Sequence, residues 1–273
     1  MKPIRERFGL LKAADVTGRL VDAYIDERVA KGDPTATINR GTQLLSQAYR
    51  LEMKRDNPRV MAMPTIRRLP EKNRREGFFE PDEVKAVCAG LPEVLVDFFG
   101  FIYLTAWRPS DLMEMRWSMV DMKAGTIALP DSKNGRGKSL AIAGDLVPIM
   151  KRREQARLLE MDGGNVRLAE YVFHRYGRPI VDYRDAWLKA CRAAGFTYRD
   201  PKTGRERSSK LMYDGKRSAI RNLVRSGVPE RVALDVAGIK TRAILDRYNI
   251  SSDKDKRAAL EAVKLPMSRE ARQ

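Results

Sequence analysis

Tyr213-Asp214-Gly215-Lys216-Arg217-Ser218-Ala219-Ile220-Arg221-Asn222-Leu223-Val224-Arg225-Ser226-Gly227-Val228-Pro229-Glu230-Arg231-Val232-Ala233-Leu234 is the stretch whose reading decides the fold. It predicts one helix over 213–227 and a second over 229–237. Three further blocks bear on it. Upstream lies Leu104-Thr105-Ala106-Trp107-Arg108-Pro109-Ser110-Asp111, then Ser132-Lys133-Asn134-Gly135-Arg136-Gly137-Lys138. Downstream, Lys240-Thr241-Arg242-Ala243-Ile244-Leu245-Asp246-Arg247-Tyr248 places a tyrosine directly after an arginine on a short helical segment. Taken alone, such a tyrosine packs its helix against a core.

Lys and Arg number 53 against 36 Asp and Glu, so the formal net charge is +17. A charge of that size points to a polyanion, because neutralising phosphates releases counterions and drives non-specific DNA binding. No apolar run reaches the ~18 residues that a spanning helix needs, and no lipidation motif is present. The N-terminus, Met1-Lys2-Pro3-Ile4-Arg5-Glu6-Arg7, lacks the apolar core of a signal peptide. Cys88 and Cys191 lie in apolar helical contexts and read as reduced thiols of a cytoplasmic protein. With His174 as the one histidine, a structural zinc site fails on ligand count. No metal and no cofactor is expected.

Residues 14–55 read as two helices. Val21, Tyr24, Ile25 and Val29 mark the first, Gly32-Asp33-Pro34 breaks it, and Thr35 or Thr37 is the expected N-cap of the second. That second helix runs through Ile38, Leu44, Leu45, Tyr49 and Leu51. Residues 56–76 are rich in proline and basic residues and suit a linker. A helix restarts at Glu80-Pro81-Asp82-Glu83, and 94–106 is apolar all round, as in a buried helix. Alternation over 126–142 around Asn134-Gly135 predicts a β-hairpin. Helices follow over 145–161, 181–194 and 241–249, with a short β-like Tyr171-Val172-Phe173 between.

In this order the four blocks resemble the tyrosine recombinases (phage integrases). The resemblance implies a mainly α (α+β), two-domain clamp: an N-terminal helical core-binding domain and a mostly helical catalytic domain with a small antiparallel sheet. The expected boundaries are a tail over 1–13, the core-binding domain over 14–70, a basic linker over 71–76, the catalytic domain over 77–255 and a C-terminal helix or tail over 256–273. In that family cationic side chains surround the scissile phosphate, a phenol attacks, and the departing 5′ oxygen gains a proton. The resemblance assigns Tyr248 as nucleophile, Arg108 as the first arginine with Asp111 as its acidic partner, and Lys133 as hairpin proton donor. Lys138, also near the turn, competes with Lys133.

Three positions depart from the family pattern. Where the family reads His-Asp-Leu-Arg-Arg-Thr, this chain reads Tyr213-Asp214-Gly215-Lys216-Arg217-Ser218. Tyr213 replaces the histidine, and Lys216 replaces the second arginine. A lysine keeps the charge but loses the planar fork that holds two phosphate oxygens. Arg217 is a substitute only if the helix start rotates by about 100°. Ile239 stands where the family has its later histidine and cannot bond a phosphate. His174 matches neither histidine position and reads as a loop residue.

The expected partner is double-stranded DNA at a recombination site, with Arg40, Lys54, Arg67, Arg68, Lys138, Arg221 and Arg225 as candidate contacts. The resemblance further implies a homodimer or tetramer on DNA. It leaves two functions open: site-specific recombination or integration through a 3′-phosphotyrosine, and DNA binding on a catalytically impaired recombinase scaffold.

Overall fold

The computed structural model describes residues 2–71, 75, 77–130, 137–160, 165–239, 242, 257, 260 and 261. The chain divides into two compact units, Met1–Glu76 and Gly77–Gln273.

The first unit is a helical cluster of α1 (Lys2–Phe8), α2 (Gly18–Ala30) and α3 (Thr35–Glu52). Thr17 caps α2 by accepting the Leu20 N–H at 3.3 Å. Pro34, in extended backbone, stands at the N-cap of α3, so neither Thr35 nor Thr37 holds that place. Its core joins Phe8, Val21, Tyr24, Ile25, Ile38, Tyr49 and Val60. The first residues were expected as a tail. They form a helix instead, because Phe8 buries its ring edge-on against Tyr24 at 5.4 Å between centroids. The proline-rich run after α3 is not a free linker throughout: Val60 is buried, and Ile66 and Leu69 pack on the same core. Asn39 fastens it, accepting the Leu69 N–H at 2.9 Å and donating to the Leu69 carbonyl at 2.8 Å. Leu44 and Leu51, read as inward on α3, are exposed.

The second unit is built on α5 (Glu93–Thr105), flanked by α4 (Pro81–Cys88), α7 (Leu146–Gln155), α8 (Arg184–Ala193), α9 (Met212–Arg225) and α10 (Glu230–Ala237). Seven of the thirteen residues of α5 are buried, which is why its sequence is apolar on every side. Phe99, with Phe79 and Trp187 against it, anchors an aromatic cluster. Pro81 opens α4 and Glu83 accepts the Glu80 N–H at 2.8 Å.

The expected hairpin is present: β2 (Thr126–Leu129) pairs antiparallel with β3 (Lys138–Ala141), with Thr126 opposite Ala141 and Leu129 opposite Lys138. β1 (Val120–Asp121) adds a third strand against β2, too short to show alternation in the sequence. Three small antiparallel pairs were not expected: β4 (Leu158–Glu160) with β5 (Val166–Leu168), β6 (His174–Arg175) with β7 (Arg178–Pro179), and β8 (Thr197–Arg199) with β9 (Glu206–Ser208); β4 overturns the end of the helix expected over 145–161, which stops at Gln155. Tyr171 contributes one bridge to Arg116 rather than a strand. His174 is a buried strand residue, not a loop residue. Its Nδ1 accepts the Gly177 N–H at 3.1 Å, closing the β6–β7 turn.

Asp97, on α5 and 1% exposed, takes Arg152 Nε at 2.9 Å and pairs with Arg153 Nε at 2.7 Å. Arg153 is itself buried, so removing the carboxylate strands a charge in the core even with Glu93 still 3.1 Å from its guanidinium. Asp97→Asn is therefore expected to destabilise the second unit by about 3 kcal/mol, at the lower end for breaking a buried pair. Urea unfolding of both proteins at neutral pH measures it.

Candidate active site

The site grows from the point where α5 must stop. Thr105 closes the helix by donating its hydroxyl to the Phe101 carbonyl at 2.7 Å and accepting the Trp107 N–H at 3.2 Å. Ala106 then turns left-handed, at φ 59°, and is fully buried. That conformation is unfavourable for a residue with a Cβ, by about 1 kcal/mol or more, and persists where surroundings hold it. Trp107 follows, fully buried, its indole N–H donated to the Val236 carbonyl of α10 at 2.9 Å. Arg108 is the N-cap of α6 (Pro109–Met113), with Pro109 at the position where its fixed φ suits a helix start. Leu-Thr-Ala-Trp-Arg-Pro-Ser-Asp thus encodes a corner that ends in a half-buried arginine.

One carboxylate joins this corner to the sheet. Asp111 Oδ2 accepts the Arg108 backbone N–H at 3.2 Å and lies 2.5 Å from Lys138 Nζ at the start of β3. Lys138 also sits over the Trp107 ring, 5.5 Å from its centroid. Its stem runs against Gly238, which has φ 58° and where an added Cβ would come within 2.6 Å of Lys138 Cε. The last turn of α10 therefore meets Trp107, Lys138 and the corner together.

Lys216 enters from α9. It is 3% exposed, and its ammonium donates to the Ala106 carbonyl. Burial pushes its pKa down to about 7, helped by the positive charges of Arg108 and Lys138 and partly offset by Asp111. Arg217 does not replace it. Successive helical residues point about 100° apart, and Arg217 turns to the buried Asp214, 2.7 Å from Oδ1, and lies over the half-buried Tyr213 ring at 5.8 Å. Ile239 packs on an apolar cluster that includes Ala106, Ala219, Ile220 and Ala237.

The structure thus brings together Arg108, Asp111, Lys138, Lys216 and Ile239, with Tyr213 and Arg217 on the adjoining turn of α9. Lys138, read both as the competitor of Lys133 and as a DNA contact, belongs to this cluster. Tyr248 and Lys133 lie outside the described residues. Two of the expected DNA contacts are otherwise engaged. Arg221 is 7% exposed and bound to Glu80 Oε1 at 2.7 Å and the Phe79 carbonyl at 3.0 Å, so it joins α9 to the start of α4 and is not a surface contact. Arg67 pairs with Asp22 at 3.1 Å and with Asp26. Arg40, Lys54, Arg68 and Arg225 are exposed. In the first unit Arg40, Arg50, Arg67 and Arg68 line one polar groove on α3. Arg50 lies on the polar face of this helix, as its spacing predicts, but was not among the expected DNA contacts. Sequence reasoning missed Trp107 and Gly238, whose roles depend on α10 folding back.

A helical unit with a three-stranded sheet, an arginine at a helix corner and basic residues from a hairpin and a later helix is the build of a tyrosine recombinase catalytic domain. The chain belongs to the phage integrase family, whose model matches residues 78–255. Its fold is similar to a lambda integrase dimer bound to a COC′ core site, at TM-score 0.68 and 18% identity over 93% of this chain and 69% of that one. It is also similar to the Tn1549 transposon integrase (residues 82–397) in complex with circular intermediate DNA, at TM-score 0.67 and 15% identity over 95% and 90% of the two chains. The XerA recombinase matches at TM-score 0.54 and 16% identity over 97% and 89%. No curated protein sequence matches it significantly.

Lys216 has a consequence for stability. An ordinary lysine keeps its proton to 10.5, whereas this one releases it near 7 when folded. Between those values the unfolded chain binds more protons, so stability through this group rises with pH over that window. Urea midpoints are expected to increase from pH 7 to 9.5, and Lys216→Met to lose that part of the increase.

Proposed function

We propose that this chain is a site-specific DNA recombinase that cuts and rejoins strands through a 3′-phosphotyrosine at Tyr248. The observation that carries the reading is the braced corner presenting Arg108 beside Lys138, within a chain of the phage integrase family. In this reading Arg108 stabilises the charge that builds on the non-bridging oxygens as the phosphate becomes pentacoordinate. The Tyr248 oxygen forms a bond to phosphorus while the bond to the 5′ oxygen breaks. The phenol gives up its proton, and the leaving oxygen takes one from a lysine, Lys133 or Lys138. Rejoining reverses these steps. Ile239 supplies no donor, and Lys216 is turned to a backbone carbonyl, so the chemistry runs with fewer cationic donors than the family pattern provides. Losing one preorganised donor costs about 10²–10³-fold in rate.

That deficit is the observation favouring the second reading, a recombinase scaffold that binds DNA without cutting it. Both readings take duplex DNA as partner, with the basic groove on α3 following the phosphate backbone, and both are compatible with assembly of two or four copies on paired sites. DNA-bound dimers and a tetramer on a Holliday junction are recorded for lambda integrase. Affinity is expected to fall with salt at a log–log slope of about −0.9 per phosphate contact. Arg40→Ala and Lys54→Ala are each expected to flatten it by about one contact.

Cleavage is decided by a covalent trap. A duplex site is selected by binding from a random pool and nicked beside the scissile phosphate. It is expected to yield a protein–DNA adduct that survives denaturation and is absent in Tyr248→Phe, which still binds. Adduct from Tyr248→Phe at the wild-type rate would overturn the assignment of the nucleophile. No adduct from wild type on a site it binds would leave the binder.

A further inference from the structure

Lys216 occupies the place of a phosphate-gripping arginine, yet its surroundings suit a different task. α5 and α9 are packed closely beside it: a Cβ on neighbouring Gly215 would come within 2.7 Å of the Phe99 ring. The lysine ammonium ends on the Ala106 carbonyl. That carbonyl follows the last turn of α5, where backbone acceptors lose their helical partners. It is also buried, where an unpaired acceptor is costly. A phosphodiester arrives from solvent, and a side chain 3% exposed and directed at a carbonyl beneath the corner does not meet it. The Lys216 ammonium carries three N–H donors on a flexible stem and gives one to this carbonyl, whereas a guanidinium brings five in a rigid fork.

Ala106 gives its own N–H to the Ile102 carbonyl at 2.9 Å, and three of the corner residues after it have ties as well. Trp107 is held by Val236, the Arg108 N–H by Asp111, and Asp111 by Lys138. Ala106 is the residue in the unfavourable conformation. We propose that Lys216 is a positioning residue, which caps the Ala106 carbonyl and so holds the left-handed corner from which Arg108 reaches the scissile phosphate, and that it does not itself grip that phosphate. The second half rests on the recombinase reading; the first does not. Charge makes the device sensitive to its surroundings. Arg108 just before α6, Asp111 on α6 and Lys138 on β3 act on Lys216 through their charges, and the carbonyl that follows α5 accepts its hydrogen bond.

The test has two arms on the full chain. The first follows the three indole N–H resonances by ¹H–¹⁵N NMR from pH 5.5 to 9, with Trp107 assigned by Trp107→Phe. The Trp107 resonance is expected to shift with a midpoint near 7 in wild type. In Lys216→Met and Lys216→Arg that transition is expected to vanish, while Trp117 and Trp187 keep their positions and report an intact fold. Lys216→Arg keeps charge and bulk, and serves alone if the methionine variant does not fold. A Trp107 transition unchanged in either variant overturns the capping role.

The second arm measures single-turnover adduct formation at saturating selected site DNA. Both variants are expected to slow it by about 10²-fold, the scale of a misplaced catalytic group, with the loss in the rate and not in the DNA concentration needed for half saturation. If Lys216→Arg matches or exceeds wild type, Lys216 acts on phosphate and the proposal is wrong. If wild type forms no adduct at all, the recombinase reading fails and so does the second half of the proposal, while the NMR arm still decides the cap.

Discussion

A helix that ends inside a protein leaves carbonyls that water cannot reach, and the second unit of this chain depends on how one of them is satisfied. Seven of the thirteen residues of α5 are buried, and the helix ends in the core at Ala106, in a backbone conformation that an alanine adopts only under constraint. The ammonium of Lys216 lies on that carbonyl. From this point the chain leaves the core at a defined angle, so Trp107 reaches α10 and Arg108 opens α6. If the corner moved, the indole bond to Val236 and the Asp111 bond to Arg108 would move with it.

The same arrangement concentrates positive charge. Arg108, Lys138 and Lys216 meet around one carboxylate, Asp111, in a part of the protein with little solvent. Burial first, and the neighbouring positive charges second, push the Lys216 amine down to about 7. An approaching phosphate would supply the missing negative charge. Three positions of the family pattern are replaced here, Tyr213, Lys216 and Ile239. Ile239 packs on the apolar cluster that contains Ala106.

Much of this was legible in the residues. The apolar run before Ala106, the Arg-Pro-Ser-Asp corner, the hairpin around Asn134-Gly135 and the two helices after Tyr213 carry strong local signals, because each is stated within one turn of chain. Positions whose role depends on what lies across the fold were read less well. Arg221 looked like a surface arginine from its helix alone, but the entry to α4 packs over it and offers Glu80 and the Phe79 carbonyl. Arg217 looked able to stand in for an arginine until the buried Asp214 was seen to hold it. The first residues looked like a tail because a seven-residue helix with one aromatic has almost no periodic signal; Tyr24 supplies its partner.

By itself the sequence determined that this is a basic, mainly helical protein of the recombinase type, where most of the described helices and the β2–β3 pair fall, and which positions depart from the family pattern. Those features are written in spacing, composition and turn residues, and need no knowledge of what lies opposite. The tertiary structure alone decided where the charges point. Whether a lysine grips a phosphate or caps a carbonyl depends on the side chains and backbone packed around it. Those come from α5, α6, β3 and α9, which are distant in sequence and meet only when the core closes.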